Sequence, residues 1–401
     1  MSKYEAIVFH KGQTKFSELD SLKVRCLFVG TDGSGSDKLD WTSIQKRKLL
    51  RTLMLDGSIT LKSHDSLSIF SSLRTLSIEG AKIDALVESL CQLKHLRFLR
   101  LVSTDISRLP EGIGNMKFLQ LITLSKCVNI VGIPGSIMKL WHLTCFNLID
   151  TKVSGIPRGF GGLTILKRAI GFPAHMNTHS SSSPKQKEVW CSLEELGPMS
   201  QLRKLVLNDL ENASESSFAT NANLAAKGHL TDLTLVCTSR LGDGGLVQEE
   251  DAISEEEKKR IEDVFDELCP PPCLEQLVIE GYFGRRFPRW MMPSTSVVPL
   301  KGLRFLFLND LACCTQLPDA LCQVPFLELI QIYHAPAIKH VGPTFLRAQR
   351  YHRHNHYTAR KSNIFSRLQK LAFIGMFEWE EWEWEVQADT QAMPLFEDLH
   401  I

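Results

Sequence analysis

His352, His354 and His356 alternate with other residues in YHRHNHY. On a strand they would share one face and could ligate a metal through imidazole nitrogens. No cysteine or carboxylate nearby completes a coordination set,. The surrounding stretch, Arg347 to Lys361, carries five basic residues and no acidic ones, and reads as an exposed insertion. Cys269 and Cys273 bracket three prolines in CPPPC, but the second pair of a zinc site is missing,. Cys313 and Cys314 are adjacent, and one buried and one exposed thiol are expected. Residues GTDGSGSDK, Gly30 to Lys38, have the glycines of a phosphate-binding loop without its Gly-Lys-Ser/Thr,. A flexible turn is expected there instead. No H-E-x-x-H, G-x-S-x-G or kinase signature set occurs,. No catalytic, metal-binding or cofactor-binding residue is assigned, and the expectation is a protein that is not an enzyme and needs no cofactor. Purified chain should show no saturable ATP binding. Binding that disappears when Lys38 is mutated would overturn that.

The scaffold that would position any site is written more clearly. L-x-x-L-x-L begins at Leu50, Leu73, Leu96, Leu119, Leu143 and Leu166, in steps of 23, 23, 23, 24 and 23 residues. A degenerate copy, VRCLFV, starts at Val24. Further copies start at Leu202, Leu230, Leu274, Leu303, Leu327, Leu368 and Phe396, at looser steps of 24 to 44 residues. A period of this length predicts a leucine-rich-repeat solenoid: an α/β curved horseshoe with a concave parallel sheet, about 14 repeats, irregular in its second half. Each motif holds a short strand whose side chains alternate. Leu99, Leu101 and Ile122 are therefore inward, while Phe98, Arg100 and Val102 are on the concave face. No unit can bury its leucines alone, so stacking of neighbours makes the core. In the return segment Ile106 to Leu119, Leu109, Ile113 and Met116 are apolar and Pro110 opens a helical turn,.

A solenoid offers a long binding surface more often than a catalytic pocket. Outward strand positions carry Phe98, Arg100, Lys204, Gln276, Glu280, Phe305, Phe307, Gln331 and Tyr333. Aromatic and charged side chains at solvent-facing positions predict a protein partner on this face.

Three regions interrupt the array. Residues 1–172 read as regular repeats, 173–190 as an exposed serine-rich loop, and 191–401 as irregular repeats with insertions near 240–268 and 347–362. Glu249 to Leu268 has ten acidic and three basic residues, with Ile261, Val264, Phe265 and Leu268 at helical spacing,. It predicts a convex-side amphipathic helix supported by Glu255–Lys259 and Glu256–Arg260 pairs. In FEWEEWEWE, Trp379, Trp382 and Trp384 are expected to cover the end of a repeat, an aromatic contact patch being the other reading,.

The chain has 401 residues and formal net charge +1, which argues against general affinity for nucleic acid or anionic membrane,. No run approaches a membrane span, and MSKYEAIVFHKGQTKF lacks the features of a secretory signal,. Eleven cysteines without framework spacing, among them Cys26, Cys91, Cys127, Cys145 and Cys237 in or beside the repeats, read as small hydrophobes in a reducing compartment,. The expected location is cytoplasmic.

Several phrases go beyond a generic repeat: IPGSIMKLWHLTCFNLIDTKVSGIP, RFPRWM from Arg286 to Met291, IKHVGPTFL from Ile338 to Leu346, and FSRLQKLAFIGMFEWEEWEWE from Phe365 to Glu385. They resemble the repeat region of plant coiled-coil, nucleotide-binding, leucine-rich-repeat disease-resistance proteins, with wording closest to cereal members. The resemblance implies a sensor of pathogen effectors or modified host proteins in the defense response. It also implies, as a partner, a nucleotide-binding module in a longer parent receptor. The chain carries no such module, so the resemblance implies a fragment or truncated paralogue. A stand-alone intracellular repeat scaffold or adaptor in signalling is the alternative, and would keep its period throughout. An extracellular receptor repeat would need a leader and paired capping cysteines.

Overall fold

The computed structural model describes residues 6–10, 24–30, 39–57, 59–60, 65–174, 190–213, 216–242, 244–247, 253–292, 300–318, 321–341, 365–382 and 393–400. The chain forms two compact units. The first holds the described residues through 173 with 190–191, and the second holds 174 and those from 192 onward. The histidine cluster, the serine-rich stretch from 175, residues 31–38 of the glycine-rich turn and Trp384 lie outside the described residues.

Each unit is a leucine-rich-repeat solenoid built on a parallel strand ladder. In the first, the strands are β1 (Ala6–His10), β2 (Cys26–Gly30), β3 (Thr52–Asp56), β4 (Thr75–Glu79), β5 (Phe98–Val102), β6 (Leu121–Thr123), β7 (Cys145–Asn147) and β8 (Arg168–Pro173). Each pairs in parallel with the next, in the register that aligns equivalent motif positions. The second unit repeats the plan with β9 (Lys204–Asn208), β10 (Asp232–Val236), β11 (Gln276–Glu280), β12 (Phe305–Asn309), β13 (Leu329–Tyr333), β14 (Lys370–Ile374) and β15 (Asp398–His400),. Fourteen of these strands coincide with the motif copies. β1 does not, and its sequence AIVFH has no leucine repeat.

The motif leucines do what the period requires. Leu99, Leu101 and Ile122 have no accessible surface, and neither do Leu277, Leu306 and Ile330 of the second unit. Val102 is also buried, a departure from its expected outward place, because the strand ends there and the chain turns inward. That turn recurs. The residue seven after the first motif leucine has positive φ at Gly57, Gly80, Ser103, Lys126 and Asp150 in one unit. The same holds at Asp209, Gly281, Asp310, His334 and Gly375 in the other. A left-handed residue breaks the strand and sends the chain to the far side. At Gly281 a Cβ would overlap the Cys237 carbonyl, so the position tolerates no side chain. Several return segments are short 3-10 turns such as Glu111–Asn115, entered through Pro110.

The acidic stretch forms the helix Glu255–Glu267, opened by a reciprocal Ser254–Glu257 capping box,. Ile261, Val264, Phe265 and Leu268 are buried as the spacing predicts. Its ion pairs differ from expectation. Glu255 binds Lys258 at 3.0 Å and Arg285 at 2.7 Å rather than Lys259, because Arg285 reaches in from the following loop. Arg260 is directed to the Glu211 carbonyl, at 3.5 Å. The RFPRWM phrase is the helix's seat. Phe287, Trp290 and Met291 are buried, Trp290 donates to the Phe265 carbonyl at 2.7 Å, and Asp266 accepts from Arg286 at 2.8 Å and from Arg289 at 3.0 Å.

Cys127, Cys145 and Cys237 are buried and Cys26 and Cys91 half-buried. Cys314 is buried against the Gly284 carbonyl, but Cys313 is half-buried rather than exposed. Trp379 packs on Phe373 with ring centroids 5.0 Å apart, so it covers a repeat as expected. No helix among the described residues is long and apolar enough to cross a membrane.

Candidate functional site

In β11, β12 and β13 the first, third and fifth residues face away from the leucine core, and parallel pairing sets them in rows with their neighbours,. In the second unit the first row runs Lys204, Asp232, Gln276, Phe305, Leu329, Lys370. The middle row runs Val206, Thr234, Val278, Phe307, Gln331, Ala372. The third runs Val236, Glu280, Asn309, Tyr333, Ile374.

Six of the nine expected residues therefore meet on three consecutive strands. Gln276 and Glu280 come from β11, Phe305 and Phe307 from β12, and Gln331 and Tyr333 from β13. All but Glu280 are half-buried, since row neighbours lie one strand spacing away, about 4.8 Å,. Val278, Leu329 and Ile374 fall in the same rows, which makes an apolar centre edged by amides, Glu280 and Lys370. These three carry no aromatic or charged label, although each adjoins an inward residue, Leu277, Ile330 and Phe373, so that alternation turns it outward,.

Phe305 is covered on one face of its ring. The Arg304 guanidinium lies 5.1 Å from its ring centroid, and Glu328 fixes Arg304 through two bonds of 2.9 and 3.0 Å. The same carboxylate holds the Arg304 guanidinium above its ordinary pKa. Beside Tyr333, His334 bonds Asp310 at 3.1 Å and stacks on Phe377.

The remaining three expected residues lie apart from this cluster. Lys204 is two strands away and faces Asp232 at 3.9 Å. Phe98 and Arg100 belong to the first unit. Phe98 is exposed, whereas Arg100 is tied to Glu79 at 2.8 Å and Ser77 at 3.2 Å on the adjacent strand. No group of three or more His, Cys, Asp or Glu side chains able to hold a metal occurs among the described residues. The chemistry available on this face is recognition: aromatic and apolar contact area with amide and carboxylate groups at its margin.

A family model described as a leucine-rich repeat region matches residues 49–399. Disease resistance RPP13-like protein 1 of Arabidopsis thaliana is 29% identical over 192 residues, 47% of this chain and 17% of that protein. A second disease resistance protein of the same plant is 31% identical over 191 residues, 47% of this chain and 12% of that protein. The chain thus spans less than a fifth of the length of either relative. Among solved structures, the functional domain of InlJ from Listeria monocytogenes shares the fold. Its TM-score is 0.51 at 14% identity, covering 90% of this chain and 60% of that one.

Proposed function

The chain belongs to the leucine-rich repeat region family, and from that premise we propose that it is the protein-recognition module of a plant innate immune receptor. It acts in the cytoplasm and binds a pathogen effector or a modified host protein. In a longer parent receptor it works with a coiled coil and a nucleotide-binding module whose switch the repeats restrain. The likeness to resistance proteins supports the setting. The observation that carries the recognition reading is the aromatic cluster on β12 and β13, where Phe305, Phe307 and Tyr333 stand side by side on the face turned away from the leucine core. Tyrosine and phenylalanine present large contact area with few rotatable bonds, so little entropy is lost on docking.

The test uses a partner captured from plant extract and then purified. Phe305→Ala, Phe307→Ala and Tyr333→Ala should each weaken its binding by about 1–4 kcal/mol, the range of a buried interface anchor. Thermal unfolding should stay near that of the parent chain, because these side chains lie outside the leucine core. Unchanged affinity in all three, together with loss on mutating the outer face of the helix Glu255–Glu267, would move the interface to the helix side.

A further inference from the structure

A second surface, independent of the strand face, lies where each repeat of the first unit enters its strand. Before each motif leucine the chain makes a tight turn: Leu73, Leu96, Leu119, Leu143 and Leu166 each donate to the carbonyl three residues earlier at 2.9–3.0 Å. The two residues at each turn's tip project outward. The residue after the leucine forms a hydrogen-bonded column, because the amides of Arg74, Arg97, Gln120, Thr144 and Lys167 each bond the equivalent carbonyl of the preceding repeat at 2.7–2.8 Å. Tips and column therefore run side by side along one edge.

Their chemistry is one-sided. The eighteen positions, three in each of the six repeats from Leu50 to Leu166, hold seven lysines and arginines, two histidines and no acid. None of the seven is in an ion pair among the described residues. The same positions in the second unit include Glu275, Glu328 and Glu397, and Arg304 is neutralised there by Glu328. Among the first unit's basic residues stand apolar side chains in water: Trp141 is 67% exposed, Phe118 48% and Ile165 42%. His95 stacks on Phe118 at 6.1 Å, so adjacent tips are in contact. A tryptophan so exposed, in line with other apolar tips, marks an interaction surface rather than scattered surface apolarity.

We propose that this edge docks an acidic amphipathic helix of a partner protein. Uncompensated positive charge calls for an acidic partner, and the row of Phe118, Trp141 and Ile165 calls for an apolar stripe beside the acids. The spacing favours a helix. Repeats stand about 4.8 Å apart, close to the 5.4 Å pitch of an α-helix. Each helical turn can then present one acid to Arg51, Arg74, Arg97 or Lys167, and one apolar residue to the tips. Six repeats span about 24 Å, which a helix of about 16 residues covers.

The probe is a synthetic helical peptide of about that length, with glutamates along one flank and leucine and phenylalanine along the next. Fluorescence anisotropy with the full chain reads the Kd. Comparison ligands are a scrambled peptide of equal composition, phosphatidylserine vesicles and a single-stranded oligonucleotide. The expected result is binding that prefers the patterned peptide, weakens with salt, and loses at least about tenfold in Arg74→Glu/Arg97→Glu and about fivefold in Trp141→Ala. Lys301→Glu, at a tip of the second unit, should leave it unchanged. Arg97→Gln, which removes the charge without reversing it, should give an intermediate loss. Equal binding of the scrambled peptide, no binding of either peptide, insensitivity to both charge variants, or preferential binding of vesicles or oligonucleotide through the same residues would each overturn the proposal.

Discussion

Replacing Lys227 with alanine should destabilise the protein by about 2–5 kcal/mol, a size set by lost packing and by the cost of leaving buried acceptors unpaired. The side chain is 2% exposed, and its ammonium donates to the carbonyls of Leu196, Gly197 and Met199 at 2.6, 3.3 and 3.4 Å. These carbonyls end the 3-10 turn Leu193–Leu196 and the loop after it. Lys227→Met keeps most of the stem and loses only the donors, so its cost should be smaller, about 1–3 kcal/mol. Burial also lowers the Lys227 pKa from 10.5 to about 8. In this window the unfolded chain binds more protons than the folded one, so the lysine's contribution to stability rises with pH between about 8 and 10.5,. The parent chain should therefore gain on Lys227→Met, by up to about 3 kcal/mol, as pH rises through that range. Chemical denaturation at several pH values measures both effects. A difference that stays flat would show that the three carbonyl bonds offset the effect of burial, and an alanine variant as stable as the parent would show that the ammonium is not engaged.

Leu99→Ala and Ile122→Ala should each cost about 2–5 kcal/mol. Both side chains have no accessible surface, and both hold the same inward motif position on neighbouring strands, paired Leu99 to Ile122. Truncation removes contacts from two interfaces at once, since each repeat packs on the one before and the one after. Urea unfolding followed by circular dichroism checks this. A cost near zero in a folded protein would place these side chains outside the core.

The ladder was legible because one residue type recurs at one spacing. Leucine at the two inward positions predicts strand, register and core together; strands form at all fourteen copies, but at the last of them Leu399 is 43% exposed. Where the apolar run is short and unrepeated the signal fails. β1 offers only AIVFH, and its strand is revealed by pairing with Cys26–Gly30. Two-residue side ladders, Leu39–Asp40 with Ile59–Thr60 and His340–Val341 with Glu381–Trp382, are too short for any periodicity. The helix Glu255–Glu267 was legible from its 3.6-residue spacing, but its ion pairs were not, because Arg285 arrives from a loop whose path the sequence does not show.

The candidate face was legible in part for the same reason. Alternation identified Phe305, Phe307, Gln331 and Tyr333, and pairing then brought in Val278, Leu329 and Ile374. Arg100 illustrates the limit. Its outward position was readable, but its bonds to Glu79 and Ser77 depend on the neighbouring strand. Lys227 was readable and overlooked. Three residues before the motif leucine, the chain has Phe70, Leu93, Met116, Leu140, Leu163 and Met199, but Arg47 and Lys227 stand at the same position in their repeats. Both charged side chains are buried there.

The most direct measurement of the recognition claim is site-specific photocrosslinking. A benzoylphenylalanine at position 307, 331 or 259 is carried into the complex with the purified partner and irradiated. Strand-face recognition predicts that the partner is captured from positions 307 and 331 on β12 and β13, and not from position 259 on the outer face of the helix. Capture from position 259, with none from 307 or 331, would contradict it.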